Sequence, residues 1–148
     1  MPHTLQRKVV TTWDADSVFD YLLNFEHSRE WDAGTLTSER VEGDGGVGTR
    51  YRNVTRFLGR ETTLDYEVEK VVRGRHFVIT GGNKTVESED TVIVTPTISG
   101  GAEVEYRARM TFKGIAAMLS PVLKPFLRRL ADDTREQLHA TLEARATA

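Results

Sequence analysis

A chain of 148 residues with a net charge of -2 fits one domain, large enough to bury about 70% of its unfolded surface and to enclose a cavity. That near-neutral balance leaves no electrostatic footprint for nucleic acid as a partner. Cysteine is absent, which excludes disulfides, thiolate metal sites and cysteine nucleophiles together.

Leu5 to Thr12 is rich in β-branched residues and reads as a first strand. Asp14 and Asp16 offer helix caps. Val18, Phe19, Leu22 and Leu23 then recur at helical spacing, giving a short amphipathic helix that Asn24 can end. A second helical segment is expected over Phe25 to Trp31, released by Gly34. The opening MPHTLQRKVV lacks the apolar run of a secretion signal, and no later stretch reaches the ~18 apolar residues of a membrane span. The expectation is a cytoplasmic single domain over residues 1–148 without stable membrane insertion.

From Thr35 the period changes to two. Six further runs, Thr35 to Glu42, Thr49 to Leu58, Thr62 to Val72, His76 to Gly81, Glu87 to Thr95 and Ala102 to Phe112, are separated by short turn signals and imply consecutive antiparallel pairing. Gly43, Gly45 and Gly48 spell G-x-G-x-x-G, the fingerprint of a dinucleotide turn. A helix must follow for that chemistry, because its amino terminus holds the pyrophosphate. Here Thr49 to Leu58 alternates as a strand, so the glycines are read as a hairpin connection.

The carboxy-terminal segment carries Ile115, Met118, Leu119, Val122, Leu123, Phe126, Leu127, Leu130, Leu138 and Leu142 at helical spacing. A long helix is expected, its apolar stripe covering the sheet. Ser120 is the expected cap, Pro121 the first helical residue, and Pro125 a point where the early turns loosen. Arg128 with Asp132 and Arg129 with Asp133 stand four apart, as exposed ion pairs would. The order strand, two short helices, six strands and long helix makes one α+β unit.

That order, together with VFDYLLNFEHSREWDAGT (residues 18–35), GDGGVGTRY (43–51), ESEDTVIVTP (87–96), VEYRARMTFKG (104–114) and LKPFLRRLADDTREQL (123–138), resembles the START-like helix-grip (SRPBCC) superfamily, in its polyketide cyclase/dehydrase and lipid transport group. The resemblance implies a curved seven-stranded antiparallel sheet gripping the last helix. It implies a cavity between them for an apolar or amphipathic molecule such as a lipid, sterol or polyketide.

Inward parity then selects the ligand-binding candidates: Tyr51, Asn53 and Phe57; Leu64, Tyr66 and Val68; Phe77 and Ile79; Val92 and Val94; Tyr106, Ala108, Met110 and Phe112. Met118, Leu119, Val122, Leu123 and Phe126 join them from the helix. The set is mostly apolar with a few polar groups, the mixture that buries and orients a ligand. An ordinary packed core is the alternative occupant of the same space. Asp90 shares the parity of Val92 and Val94, but its expected place is the wet end of a strand beside an arginine; turned inward it would be a carboxylate with a raised pKa.

His27, Glu30 and Asp32 in HSREWD are metal-ligand types, yet the ligand count is short and no second histidine accompanies them. No metal or cofactor is expected; Trp31 is read as a plug at one end of the core. No serine sits in a G-x-S-x-G elbow. The functional expectation is binding or transport of an apolar small molecule. A cyclase or dehydratase using Tyr66, Tyr106 and Asp90 as proton donors and acceptors is the first alternative, and a protein-interaction module with a filled cavity the second.

Overall fold

The computed structural model describes residues 2–148. Strands β1 (His3–Thr11), β2 (Thr35–Glu42), β3 (Arg50–Phe57), β4 (Arg60–Val72), β5 (His76–Gly82), β6 (Val86–Pro96) and β7 (Ala102–Phe112) form one sheet in the order β1-β7-β6-β5-β4-β3-β2. Every neighbouring pair is antiparallel. Between β1 and β2 lie α1 (Ala15–Leu23), a 3-10 turn (Phe25–His27) and α2 (Ser28–Trp31); α3 (Ile115–Ala146) follows β7. This is the helix-grip architecture expected from the sequence.

The local reasons are visible residue by residue. The Asp14 carboxylate accepts the Ser17 N–H at 3.0 Å and so starts α1. Asn24 ends α1 and its side chain accepts the Glu26 N–H at 3.2 Å, which opens the next turn at once. The G-x-G-x-x-G stretch is the β2–β3 connection and leads into a strand. Gly43, Gly45 and Gly48 all hold positive φ, and a Cβ at Gly43 would fall 2.6 Å from the Thr49 Cα. These glycines serve the backbone of a turn.

The inner sheet face is covered in two parts. Trp31 and Phe25, both fully buried, pack edge-on at 6.3 Å, and Phe25 continues to Tyr51 at 5.9 Å and Tyr66 at 4.9 Å. Phe19 of α1 meets Phe77 at 6.0 Å. The outer face is charged and cross-strand paired, with Arg50 on Glu67 at 3.0 Å and Arg56 on Glu61 at 2.8 Å.

Helix α3 departs from expectation in three ways. It begins directly after Gly114, whose φ is +63°, and runs unbroken to Ala146 with Pro121 and Pro125 inside it. Ser120 is therefore a buried side chain of the helix, not its cap. Each proline removes one backbone donor, which leaves the carbonyls of Ala117 and Pro121 without their helical partner while the helix continues. Only the later part of the apolar stripe covers the sheet: Leu127, Ala131, Leu138 and Leu142 are buried, whereas Ile115, Met118, Leu119, Val122 and Phe126 are exposed. The stripe is wider than one packing face, and these five lie roughly 140° around the helix from the buried set. Lastly, Asp132 is taken by Arg7 of β1 at 2.8 Å, and neither Arg128 nor Arg129 makes an ion pair among the described residues.

Gly81 sits opposite Tyr66 in the β4–β5 register, and a Cβ there would lie 2.6 Å from the Tyr66 Cγ. Gly81→Ala is expected to cost about 1–3 kcal/mol in urea denaturation by displacing that ring. Combining it with Tyr66→Leu should recover much of the loss in a double-mutant cycle; an additive cycle would show that the Tyr66 ring does not require the glycine.

Candidate functional site

Alternation along β6 places Ser88, Asp90, Val92 and Val94 on the inner face. Asp90 stands in mid-strand between Ile79 of β5 and Ala108 of β7, and is only 2% exposed. The expectation of a strand-end carboxylate beside an arginine is thus corrected: the parity that buries Val92 also buries Asp90. Its carboxylate accepts the Ser88 hydroxyl at 2.6 Å and the Tyr106 hydroxyl at 2.9 Å.

This cluster opens into a cavity of about 100 Å³ between the sheet and α3. The sheet contributes Leu5, Thr55, Leu64, Tyr66, Val86, Ser88, Asp90, Tyr106, Ala108 and Met110; Leu130, Ala131 and Thr134 of α3 form the opposite wall, and Asp32 and Gly34 close one side. A wider depression of about 760 Å³ lies on the outer face among Glu67, Glu69, Glu89, Arg109 and Lys113. It belongs to the charged, solvated surface, and the partly open, mainly apolar space beside Asp90 is the candidate site.

Six of the predicted site residues line this cavity together: Leu64, Tyr66, Asp90, Tyr106, Ala108 and Met110. Tyr51, Val68, Phe77, Ile79, Val92 and Val94 share their sheet face but pack into the core cluster with Val18, Phe19 and Leu22. Asn53 is buried and donates to the Thr35 hydroxyl at 3.2 Å. Phe57 and Phe112 are half-buried near the strand ends, and Phe112 meets the His3 ring edge-on at 5.9 Å. Leu123 is half-buried, and Met118, Leu119, Val122 and Phe126 turn outward from the sheet and away from the cavity wall.

Asp32, read from the sequence only as a metal-ligand type, is one of the cavity residues that sequence reasoning missed, together with Ser88, Thr55 and Thr134. Its Oδ1 accepts the Gly34 N–H at 3.0 Å and the Thr134 hydroxyl at 3.3 Å, and its Oδ2 accepts the Thr35 hydroxyl at 3.2 Å. The spacing Asp32-Ala33-Gly34-Thr35 is that of a side chain closing its own turn, which was a usable signal. The partner on α3, about a hundred residues away, had none. The neighbouring His27 and Glu30 point elsewhere: His27 Nδ1 lies 2.7 Å from the Tyr21 carbonyl, and Glu30 accepts from Arg145 at 3.0 Å. Among the described residues no three metal-ligating side chains converge.

Burial pushes Asp90 up to about 7, against the opposing hydrogen bonds from Ser88 and Tyr106, with the charge of Asp32 adding to the rise. Asp32 is raised as well, again by burial, and is held back by Gly34, Thr35 and Thr134. Burial, then the Asp90 and Asp32 charges, raise the Tyr66 and Tyr106 hydroxyls well above the usual phenol range. At neutral pH both tyrosines are therefore hydrogen-bond donors, while Asp90 is divided between acid and carboxylate.

The family described as polyketide cyclase / dehydrase and lipid transport matches residues 2–146. Among solved structures, the ZhuI aromatase/cyclase from Streptomyces sp. R1128 superposes with a TM-score of 0.82 at 11% identity, covering 98% of this chain and 96% of that one. A START superfamily protein from Mycobacterium smegmatis gives 0.75 at 15% identity, with 98% and 97% covered. The di-domain ARO/CYC StfQ from the steffimycin biosynthetic pathway gives 0.74 at 15% identity, with all of this chain on 53% of that one. No curated protein is matched by the sequence.

A carboxyl whose pKa is raised by folding favours the folded state most below the unfolded value near 4 and loses that contribution as pH rises to about 7. Asp90→Asn removes this titration and keeps one of the two acceptor oxygens that Ser88 and Tyr106 meet. The variant should gain thermal stability relative to the native protein as pH rises from about 4 to 8, by a few kcal/mol in total. A difference between the two that does not change with pH would contradict the buried titrating carboxyl.

Proposed function

The chain belongs to the polyketide cyclase / dehydrase and lipid transport family, and from that premise we propose that it binds an apolar or amphipathic small molecule between the sheet and α3. The observation that carries the reading is the polar cluster of Asp90, Ser88 and Tyr106 set into a wall otherwise made of Leu64, Ala108, Met110 and Leu130. The apolar wall supplies affinity and the cluster supplies orientation. Hiding one six-membered ring is worth on the order of 4 kcal/mol at ~25 cal/mol per Å² before ordering costs.

Size narrows the ligand's pose. A volume of about 100 Å³ is on the scale of one small ring, while drug-sized ligands occupy roughly 300 Å³ or more. A longer molecule therefore enters with its end ring or chain against Asp90 and displaces Leu130, which is half-buried on α3. A ligand hydroxyl meets Asp90 as carboxylate, and a ligand carbonyl meets Tyr66 or the protonated Asp90.

A second reading, a cyclase- or dehydratase-type enzyme, is favoured by Asp90 standing near 7 beside neutral tyrosines. The Asp90 carboxylate would take a proton from a carbon flanked by carbonyls while a tyrosine O–H stabilises the enolate oxygen. In a dehydration the protonated Asp90 then gives that proton to the departing hydroxyl, which leaves as water as the carbon–carbon double bond forms. Tyrosines held this far above neutrality act as donors in that scheme and not as bases.

Protein purified from its own host, measured by native mass spectrometry and then extracted with organic solvent, should carry a stoichiometric apolar compound. Ala108→Leu, which fills the cavity floor, should abolish retention, and Tyr106→Phe should weaken it by about tenfold. An unliganded protein with no thermal shift across aromatic ketones, fatty acids and sterols would refute the binding reading. If Asp90→Asn retains a compound that the native protein converts, the enzyme reading replaces the carrier.

A further inference from the structure

Five large apolar side chains on the first turns of α3 face solvent. Ile115 and Met118 are each 80% exposed, and Leu119, Val122 and Phe126 follow on the same side of the helix. They are not the edge of the packed face, since the buried set lies roughly 140° around the helix. An apolar face of this continuity on an outer surface marks an interaction site.

The charge left unpaired at this end of the sheet is basic: Glu61 pairs with Arg56 at 2.8 Å, while Arg60, Lys84 and Arg129 make no ion pair among the described residues. No acidic residue stands between Glu105 and Asp132 along the chain, and Arg129 lies about 40° from the centre of the apolar face, whereas Lys124 and Arg128 lie on the opposite side of the helix beside the start of β1. Lys113, at the helix entry, pairs with Glu87 at 3.2 Å.

A second element at the same end of the sheet repeats the pattern. The register pairs Phe57 with Arg60, so Leu58 and Gly59 form a two-residue hairpin tip. That tip, the β5–β6 turn carrying Lys84 and the start of α3 all lie at the sheet end where β7 finishes. Leu58 has φ +52° and is 52% exposed. A two-residue hairpin of this kind favours Asn or Gly at that position. Here a leucine is held at positive φ with its side chain in solvent, and exposed Arg60 stands two residues on.

We propose that this end of the molecule docks peripherally on an anionic lipid bilayer, with the outward face of α3 and Leu58 entering the headgroup boundary and Arg60, Lys84 and Arg129 meeting lipid phosphates. An amphipathic helix lying in the interface joins an apolar face to flanking basic residues in this way. A second copy of the chain fits less well, because an isologous contact would set Arg129 and its basic neighbours against their own counterparts. No helix is long and apolar enough to cross a membrane among the described residues, so the contact is a surface one. It stands independently of which molecule the cavity takes.

The test is co-sedimentation of the full chain with vesicles of phosphatidylcholine alone and of phosphatidylcholine containing about a quarter phosphatidylglycerol. The native protein should partition onto the anionic vesicles about tenfold or more in excess of the neutral ones, and lose that preference at high salt. The triple change Met118→Ser, Val122→Ser and Phe126→Ser should abolish binding with the fold intact by circular dichroism. Lys84→Glu with Arg129→Glu should cost about fivefold per residue. Leu58→Asn separates docking from folding: it relieves the backbone and should hold or raise Tm while weakening vesicle binding. Absence of binding to anionic vesicles, or binding unchanged by the triple serine variant, overturns the proposal. So does a concentration-dependent dimer in light scattering that the same triple variant abolishes, which would assign the face to a second copy.

Discussion

A carboxylate on the inner face of an apolar sheet is the constraint from which the site's construction follows. Leaving Asp90 buried and unpaired would cost several kcal/mol. Ser88 meets it from two positions back on the same strand, which the period-two geometry guarantees. Tyr106 meets it from the neighbouring strand, and Tyr106 is itself held by Trp31, whose ring lies edge-on at 5.5 Å. Trp31 ends α2 and is completely buried. The short helices between β1 and β2 therefore do more than fill one end of the core: they fix the donor that makes the buried carboxylate tolerable.

The same logic divides α3 into two unlike halves. Past Phe126 the helix is tied down by polar contacts with distant parts of the chain. Gln137 and Thr141 donate to the Glu30 carbonyl at 2.9 and 3.1 Å, Arg145 reaches the Glu30 carboxylate, and Glu143 accepts the Thr12 N–H at 2.7 Å. Before Phe126 no side-chain hydrogen bond or ion pair holds the helix among the described residues, and two prolines have removed backbone donors. Anchoring one half leaves the other with freedom that local propensity does not restrain.

The sequence made the elements legible because each had a clean local signal. Strand period, the Asp14 cap and the Asn24 stop all depend on neighbours in the chain and stand within a few residues of expectation, whereas α3 begins at Ile115 and not at the expected Pro121. Six cavity residues were legible for the same reason, since parity alone selects them once the sheet is known. What parity does not carry is depth along the sheet. Tyr51, Phe77 and Ile79 face inward like Tyr66, yet α1 covers them, and only tertiary packing decides which inward residues meet protein and which meet a cavity. Asp90 was misplaced because a typical carboxylate avoids burial, and the partners that make its burial tolerable come partly from a neighbouring strand. For α3, apolar spacing identified the helix but not which apolar side chains would find a partner; Phe126 and Leu127 are adjacent in sequence and opposite in fate.

The cavity lies where these two halves of the molecule meet. Its α3 wall is Leu130, Ala131 and Thr134, the first turn of the helix held by the rest of the chain: Arg7 grips Asp132, and Thr134 bonds Asp32. One side of the cavity is thus built from fixed strands and an anchored turn, and the turns leading up to it are the least restrained part of the helix. Under the proposed binding role, such a placement would keep the polar cluster rigid, which orientation requires, while the less restrained turns of α3 would give way to a larger molecule. Restraint at Asp90 and freedom before Phe126 are then complementary around a pocket of about 100 Å³.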